Sequence, residues 1–260
     1  QYLELIRSFG TIGPRLTRLS FCGGEPLYRK DFFLLLEKMY KFNRYFYLTI
    51  RSNGSLVDRE NAKRLKALGV GAVQVSLEGM QKNNDYVRGE GAFDKTVKAI
   101  EILVASKIRV TVSFTLTKRS MPDIFPLCEL CEELGVSKIG VRRLVPMGRG
   151  SVLKDSLLSP EELRKTYIDI GKKCRELEIN NANPGFIIRG CEEGIICNDT
   201  QRPLNLCGII DGRVLVVLPS GDVVPCRRLP IKIGNALEKD LLTIYYESEK
   251  FRQLRNLNNA

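Results

Sequence analysis

At Gly23-Gly24-Glu25-Pro26 the chain sets two glycines and a carboxylate directly after the apolar stretch Leu19-Ser20-Phe21-Cys22. Adjacent glycines let a ligand approach the backbone where a Cβ would stand in the way. The glutamate offers a charged acceptor at the end of a strand, and Pro26 suits the first turn of a helix. A plainer reading, a tight strand-to-helix turn with a solvated glutamate, fits the tetrapeptide equally well. Similar polar clusters recur along the chain as Ser52-Asn53-Gly54, Ser76-Leu77-Glu78-Gly79, Thr115 with Thr117, and Arg142-Arg143. Cysteine offers a second chemistry. Cys191, Cys197, Cys207 and Cys226 sit in irregular, polar sequence with no apolar stripe to join, and thiolates without histidine suit zinc or an iron–sulfur cluster. Scattered thiols are the alternative. Cys128 and Cys131, although spaced Cys-x-x-Cys, fall with Ile124, Leu127 and Leu134 on one helical stripe and are expected to pack in a core, as are Cys174 and Cys22.

These residues need elements to position them, and the periodicity supplies a strand–helix rhythm over the first 145 residues. Strands are expected at Leu16–Cys22, Phe46–Arg51, Ala72–Leu77, Ile108–Leu116 and Lys138–Leu144. Between them lie helices at Asp31–Phe42, after a capping Asp58, around Phe93 to Val104, and at Pro122–Leu134. Gln1–Phe9 reads as the helix of an earlier unit. A parallel sheet follows, and in such sheets binding groups collect at the carboxyl ends of the strands. Every polar cluster named above falls at such an end. A long amphipathic helix then runs from a capping Ser159 through Leu163, Tyr167, Ile170, Cys174 and Leu177. Arg213–Leu218, Pro219-Ser220-Gly221-Asp222 and Val223-Val224 read as a hairpin. The domain division is expected near Asn180–Pro184.

Composition narrows the chemistry further. With no histidine in 260 residues, Ser-His and Cys-His pairs and histidine-bearing metal sites are excluded. Eight cysteines point to thiols or metal ligands rather than a disulfide framework. A formal charge of +11 favours anionic partners, but the lysines are dispersed over helix faces. No run of about 18 apolar residues occurs, so no membrane span is expected. Starting at Gln1 and stopping in a helical pattern at Ala260, the chain reads as a segment of something longer.

Together these motifs resemble the radical S-adenosylmethionine superfamily, and the C-terminal part resembles its SPASM/Twitch branch. Gly23-Gly24-Glu25-Pro26 is similar to the family's GGEP motif, whose backbone and glutamate hold the methionine amino group of the cofactor through charge-assisted hydrogen bonds. Ser76 and Arg88, twelve residues apart, resemble the pair that grips the methionine carboxylate and nearby ribose. Ser52 and Asn53 match the polar cluster after the family's third strand, and Leu144 is similar in position to a residue contacting adenine. Cys207, Gly221 and Cys226 have the spacing of the first half of the SPASM cysteine pattern, with Cys191 and Cys197 as less certain contributors. The sequence departs from the family in lacking the Cys-x-x-x-Cys-x-x-Cys run of the catalytic [4Fe–4S] cluster and the second SPASM cysteine group.

The resemblance implies an α/β fold, a partial parallel (β/α)6 barrel over 1–180 with a small cysteine-bearing SPASM-like domain over 181–260. It implies S-adenosylmethionine, a [4Fe–4S] cluster and auxiliary iron–sulfur clusters as cofactors, and reductive cleavage to a 5′-deoxyadenosyl radical. The implied substrate is a peptide, protein or tetrapyrrole, met in the cytoplasm with an electron donor such as ferredoxin or flavodoxin. Arg142, Arg143 and Arg149 are compatible with an acidic peptide or with propionate groups. Lacking the cluster run, this segment alone is expected to be inactive. Two rival readings stand beside this one. A non-catalytic cofactor-binding or scaffold fragment fits the missing run, while a basic nucleic-acid-binding protein fits the charge but lacks aromatic residues interleaved with a basic patch.

Overall fold

A computed structural model describes residues 17–42, 46–180, 187–189 and 214–256, with the side chains at 17, 149, 174–180 and 187–189 outside the description. The described chain forms two compact units, one built on residues 18–189 and one on residues 214–256.

The first unit is a six-stranded sheet whose strands follow chain order: β1 (Thr17–Phe21), β2 (Phe46–Ser52), β3 (Val70–Ser76), β4 (Arg109–Leu116), β5 (Lys138–Arg143) and β6 (Ile187–Arg189). From β2 to β6 every neighbouring pair is parallel. Helices α1 (Phe32–Tyr40), α2 (Arg59–Ala67), α3 (Gln81–Arg88), α4 (Ala92–Ala105), α5 (Ile124–Glu133) and α6 (Pro160–Asn180) lie between the strands. One face of the sheet is apolar and dry: Val73, Val75 and Leu77, then Val110, Val112, Phe114 and Leu116, are at most 1% exposed. Helices α2 and α4 pack against β3, and α4 also against β4. Strand residues alternate between faces, so Gln74, Ser76, Thr111, Ser113 and Thr115 line the opposite, half-buried face. This is the α/β barrel-type architecture expected from the sequence.

Local chemistry explains several boundaries. Asp58 caps α2 by accepting the Asn61 N–H at 2.7 Å. At α6, Ser159 and Glu162 form a reciprocal capping box at 2.7 and 3.1 Å. Helix α4 starts at Gly91, which has no side chain to cap with. Asp85 performs that task from the preceding helix, accepting the N–H groups of Gly91 at 3.0 Å and Phe93 at 2.7 Å. Cys128 and Cys131 are buried on α5 with Ile124 and Leu127, as the stripe predicted, whereas Cys22, also expected to pack, is exposed just past the end of β1. Burial pushes the Cys131 thiol far above its usual range, and neighbouring Cys128 adds to this.

Two elements depart from the sequence reading. Helix α3, Gln-Lys-Asn-Asn-Asp-Tyr-Val-Arg, buries only Asn84, so it carries no apolar stripe for periodicity to find. Strand β6 joins the sheet beyond residue 180, where Ile187 pairs with Lys138 and Ile188 with Ile139. Three residues are too short to reveal an alternation. The helix expected at Gln1–Phe9 lies outside the described residues. Among the described residues no helix is long and apolar enough to cross a membrane.

In the second unit, β7 (Val216–Val217), β8 (Asp222–Val224) and β9 (Gly234–Asn235) form an antiparallel sheet. The expected hairpin joins β7 to β8. Its turn closes with the Gly221 N–H donating to Leu218 O at 2.9 Å, and Gly221 has φ +83°. A Cβ there would lie 2.5 Å from Leu237 and 2.8 Å from Asn235, so glycine is required on two counts. Helices α7 (Leu241–Glu247) and α8 (Glu249–Asn256) complete a small core of Val223, Ile233, Leu241, Ile244 and Phe251.

Candidate cofactor site

After β1 the backbone runs through Gly23 and Gly24 into a single 3-10 turn, Pro26–Tyr28, whose N-cap is Glu25. The Glu25 carboxylate is the centre of a knot. Its Oε1 accepts the Ser52 hydroxyl at 2.9 Å and the Leu27 N–H at 3.3 Å, and its Oε2 accepts the Asn53 N–H at 2.7 Å. Ser52 is 5% exposed, and its oxygen also accepts the Gly54 N–H at 3.0 Å. The Asn53 side chain in turn accepts the Ser55 N–H at 2.8 Å. Glu25, Ser52 and Asn53 are thereby brought together, joining the carboxyl ends of β1 and β2.

Gly23 and Gly24 are exposed, and a Cβ built on either meets no heavy atom within 4 Å. Neither has a positive φ. No described residue therefore demands glycine at either position, and the backbone there is open to a ligand. A carboxylate offers about four lone-pair sites; the protein uses three at Glu25, which leaves capacity for a further charged donor such as an ammonium. The donor set and the open backbone fit the methionine end of S-adenosylmethionine.

The second part of the rim centres on Glu78, two residues beyond β3. Ser76, the last residue of β3, is half-buried, and its hydroxyl has no hydrogen-bond partner among the described residues. Arg88, the last residue of α3, donates from Nη2 to Glu78 Oε1 at 2.7 Å. Its carboxylate partner is thus Glu78 and not Asp85, whose oxygens are taken by the start of α4. Burial acts to raise the Asp85 pKa, but the N–H groups of Phe93, Gly91 and Ala92 and the Asn84 amide outweigh it and hold the carboxyl below its ordinary value. Leu144 lies just past β5, 8% exposed, in the wall of a cavity of about 150 Å³ that Glu78, Thr115, Thr117 and Arg119 also line.

Sequence reasoning placed Glu78 in a polar cluster without a role and passed over its supports. The Glu78 N–H donates to Oδ1 of the fully buried Asn84 at 3.0 Å. Asp123 Oδ2 accepts the Met80 N–H at 2.8 Å and the Asn83 amide at 2.7 Å. No pattern flags these residues, since a lone Asn or Asp in a polar helix or turn looks solvated until its partners are known.

In the second unit, Cys226 follows the hairpin and opens a tight turn. Its carbonyl accepts the Leu229 N–H at 3.0 Å and its sulfur accepts the Arg228 N–H at 3.4 Å. Such N–H···S bonds tune cluster potentials. Cys191, Cys197 and Cys207 lie outside the described residues.

Polar and charged groups thus gather at the carboxyl ends of successive strands of a parallel α/β sheet, the end at which such folds place their binding groups. Comparison with known proteins makes this specific. The family model of the radical SAM superfamily matches residues 1–123, and that of the SPASM iron–sulfur cluster-binding domain matches residues 207–260. An AdoMet-dependent heme synthase of Methanosarcina barkeri is 30% identical over 265 residues, covering 97% of this chain and 74% of that protein. An Fe-coproporphyrin III synthase of the same organism is 38% identical over 158 residues, covering 60% of this chain and 39% of its own length. The mycofactocin maturase MftC of Mycolicibacterium smegmatis is 31% identical over 250 residues, covering 92% and 60%. In fold, the chain is similar to Streptococcus suis SuiB crystallised with S-adenosylmethionine, with TM-score 0.76, 19% identity and coverage of 98% of this chain and 60% of that one. The chain belongs to the radical SAM superfamily, with a SPASM domain at its C-terminal end.

Proposed function

We propose that this chain is the greater part of a radical S-adenosylmethionine enzyme that modifies a peptide, protein or tetrapyrrole during maturation or cofactor biosynthesis. The observation that carries the reading is the Glu25 knot, a carboxylate fixed between two strand ends beside two glycines that no described residue requires.

In this reading Glu25 and the backbone of Gly23 and Gly24 receive the methionine ammonium, with Ser52 and Asn53 holding the carboxylate in place. Ser76 and Arg88 take the methionine carboxylate and nearby ribose. Leu144 meets the adenine. When bound and reductively cleaved at a [4Fe–4S] cluster, the cofactor supplies a radical that abstracts hydrogen from substrate. The chain's own task is to bind, orient and exclude water. The barrel is assigned to 1–180 together with β6, and the SPASM part to the rest of 181–260. Cys207 and Cys226, with Cys191 and Cys197 as less certain contributors, are assigned to an auxiliary iron–sulfur cluster, supported at Cys226 by the N–H···S bond. The names of the relatives support the substrate range: two act on tetrapyrroles and one is a maturase. A cytoplasmic setting and a donor such as ferredoxin or flavodoxin complete the reading.

The test is anaerobic incubation of the reconstituted full-length protein with S-adenosylmethionine and dithionite. 5′-Deoxyadenosine is expected from the native protein and a large loss from Glu25→Ala. An iron-replete native protein that forms none above background overturns the proposal.

A further inference from the structure

We propose that Glu78 is a positioning residue that sets the Arg88 guanidinium to receive the carboxylate of the bound cofactor. The inference rests on the cofactor-binding role given to Arg88 above. Arg88 closes α3 and precedes Gly89 and Gly91, both at positive φ (+99° and +70°). A long, rotamer-rich side chain at such an end needs an external anchor. Among the described residues, the bond from its Nη2 to Glu78 Oε1 is the side-chain hydrogen bond it makes.

Glu78 is suited to be that anchor because its own position is fixed on every side. Its N–H is held by the fully buried Asn84. The next residue, Gly79, sits at φ +139° with the Asp123 carboxylate so near that a Cβ would lie 2.5 Å from it. The two carboxylate oxygens serve different elements: Oε1 holds Arg88 and Oε2 accepts the Thr115 N–H at 3.1 Å at the end of β4. The side chain is 14% exposed against 26% for Arg88, so the pair is partly shielded from solvent. The contact is through a single nitrogen, Nη2. It uses one of the five guanidinium N–H groups and leaves four for an incoming carboxylate.

A carboxylate beside the arginine of an anion site has two opposing effects. It lowers the local positive potential, which weakens anion binding, and it removes the ordering cost of the arginine, which strengthens it. The fixed geometry of Glu78 assigns the larger share to ordering, and this fixes the sign of the experiment.

The affinity of the reconstituted full-length protein is measured by calorimetry for S-adenosylmethionine and for 5′-methylthioadenosine, which lacks the amino-acid moiety. Glu78→Ala is expected to weaken S-adenosylmethionine by about tenfold, the scale of ordering one rotamer-rich side chain. Methylthioadenosine should change by less than about twofold, the spread expected of independent sites. Glu78→Gln keeps an acceptor for Thr115 and guards against misfolding; it should show a smaller loss of the same selectivity. The double variant Glu78→Ala/Arg88→Ala should bind no worse than Arg88→Ala alone. Equal losses for both ligands, additive losses in the double variant, or tighter S-adenosylmethionine binding by Glu78→Gln would each overturn the proposal. If Arg88→Ala itself leaves the ratio of the two affinities unchanged, the role given to Arg88 fails, and that of Glu78 with it.

Discussion

Replacing Glu25 by alanine removes the acceptor for three donors at once, and their surroundings set the cost. The Ser52 hydroxyl is almost fully buried and loses its acceptor without access to water, a loss of about 1–3 kcal/mol. The Asn53 N–H is exposed and finds water instead, so its loss is about 0.5 kcal/mol. The Leu27 N–H at 3.3 Å is the weakest and adds little. The sum is about 1.5–3.5 kcal/mol, which for a unit of this size lowers Tm by roughly 3–14 °C. Thermal unfolding of the 260-residue chain followed by far-ultraviolet circular dichroism measures it, with Glu25→Gln expected to lose about half as much because one oxygen still accepts. Tm values for both variants within about 1 °C of the native chain would refute the knot. Cofactor affinity, measured well below Tm, should fall separately by the value of one charged hydrogen bond, about 1.5–3 kcal/mol.

Other outcomes follow from single residues. Gly79→Ala forces a left-handed φ on alanine and drives its Cβ into Asp123, so it should destabilise the chain by about 2–4 kcal/mol in urea unfolding; a shift below about 0.5 kcal/mol would contradict the Asp123 clasp. Asp85 has a folded pKa held below its ordinary value, so its contribution is complete above the unfolded value of about 3.9 and is lost as pH falls through the folded one. Asp85→Asn should therefore lower Tm at pH 7 and converge on the native chain in acid, whereas a constant difference across pH would remove the charge from the explanation. Changing Cys207 and Cys226 together to alanine in the full-length protein should lower its iron and sulfide content while leaving the barrel cluster, and an unchanged iron count would return both to ordinary packing.

The strand ends were legible because each closes a run of alternating apolar residues, and their polar clusters mark the rim without any knowledge of contacts. The turn at Gly221 was legible because its glycine answers a local requirement, and Gly23-Gly24-Glu25 stood out by residue type alone, since no described residue requires glycine there. Arg88 took its role from the family resemblance, in which it pairs with Ser76, yet its partner Glu78 stood unassigned in plain view. That pairing depends on α3, a helix that buries one asparagine and so leaves no hydrophobic signal. Strand β6 was missed because three residues cannot show a period. The Asp85 cap of α4 escaped because it reaches from the neighbouring helix, where local capping rules do not look.

The most direct test of cofactor binding at this rim is a crystal structure of the reconstituted full-length protein with S-adenosylmethionine. The methionine ammonium is expected within hydrogen-bonding distance of Glu25, its carboxylate at Ser76 and Arg88, and its adenine against Leu144. A cofactor seated elsewhere, with Glu25 bonded only to Ser52, Asn53 and Leu27, would contradict the assignment.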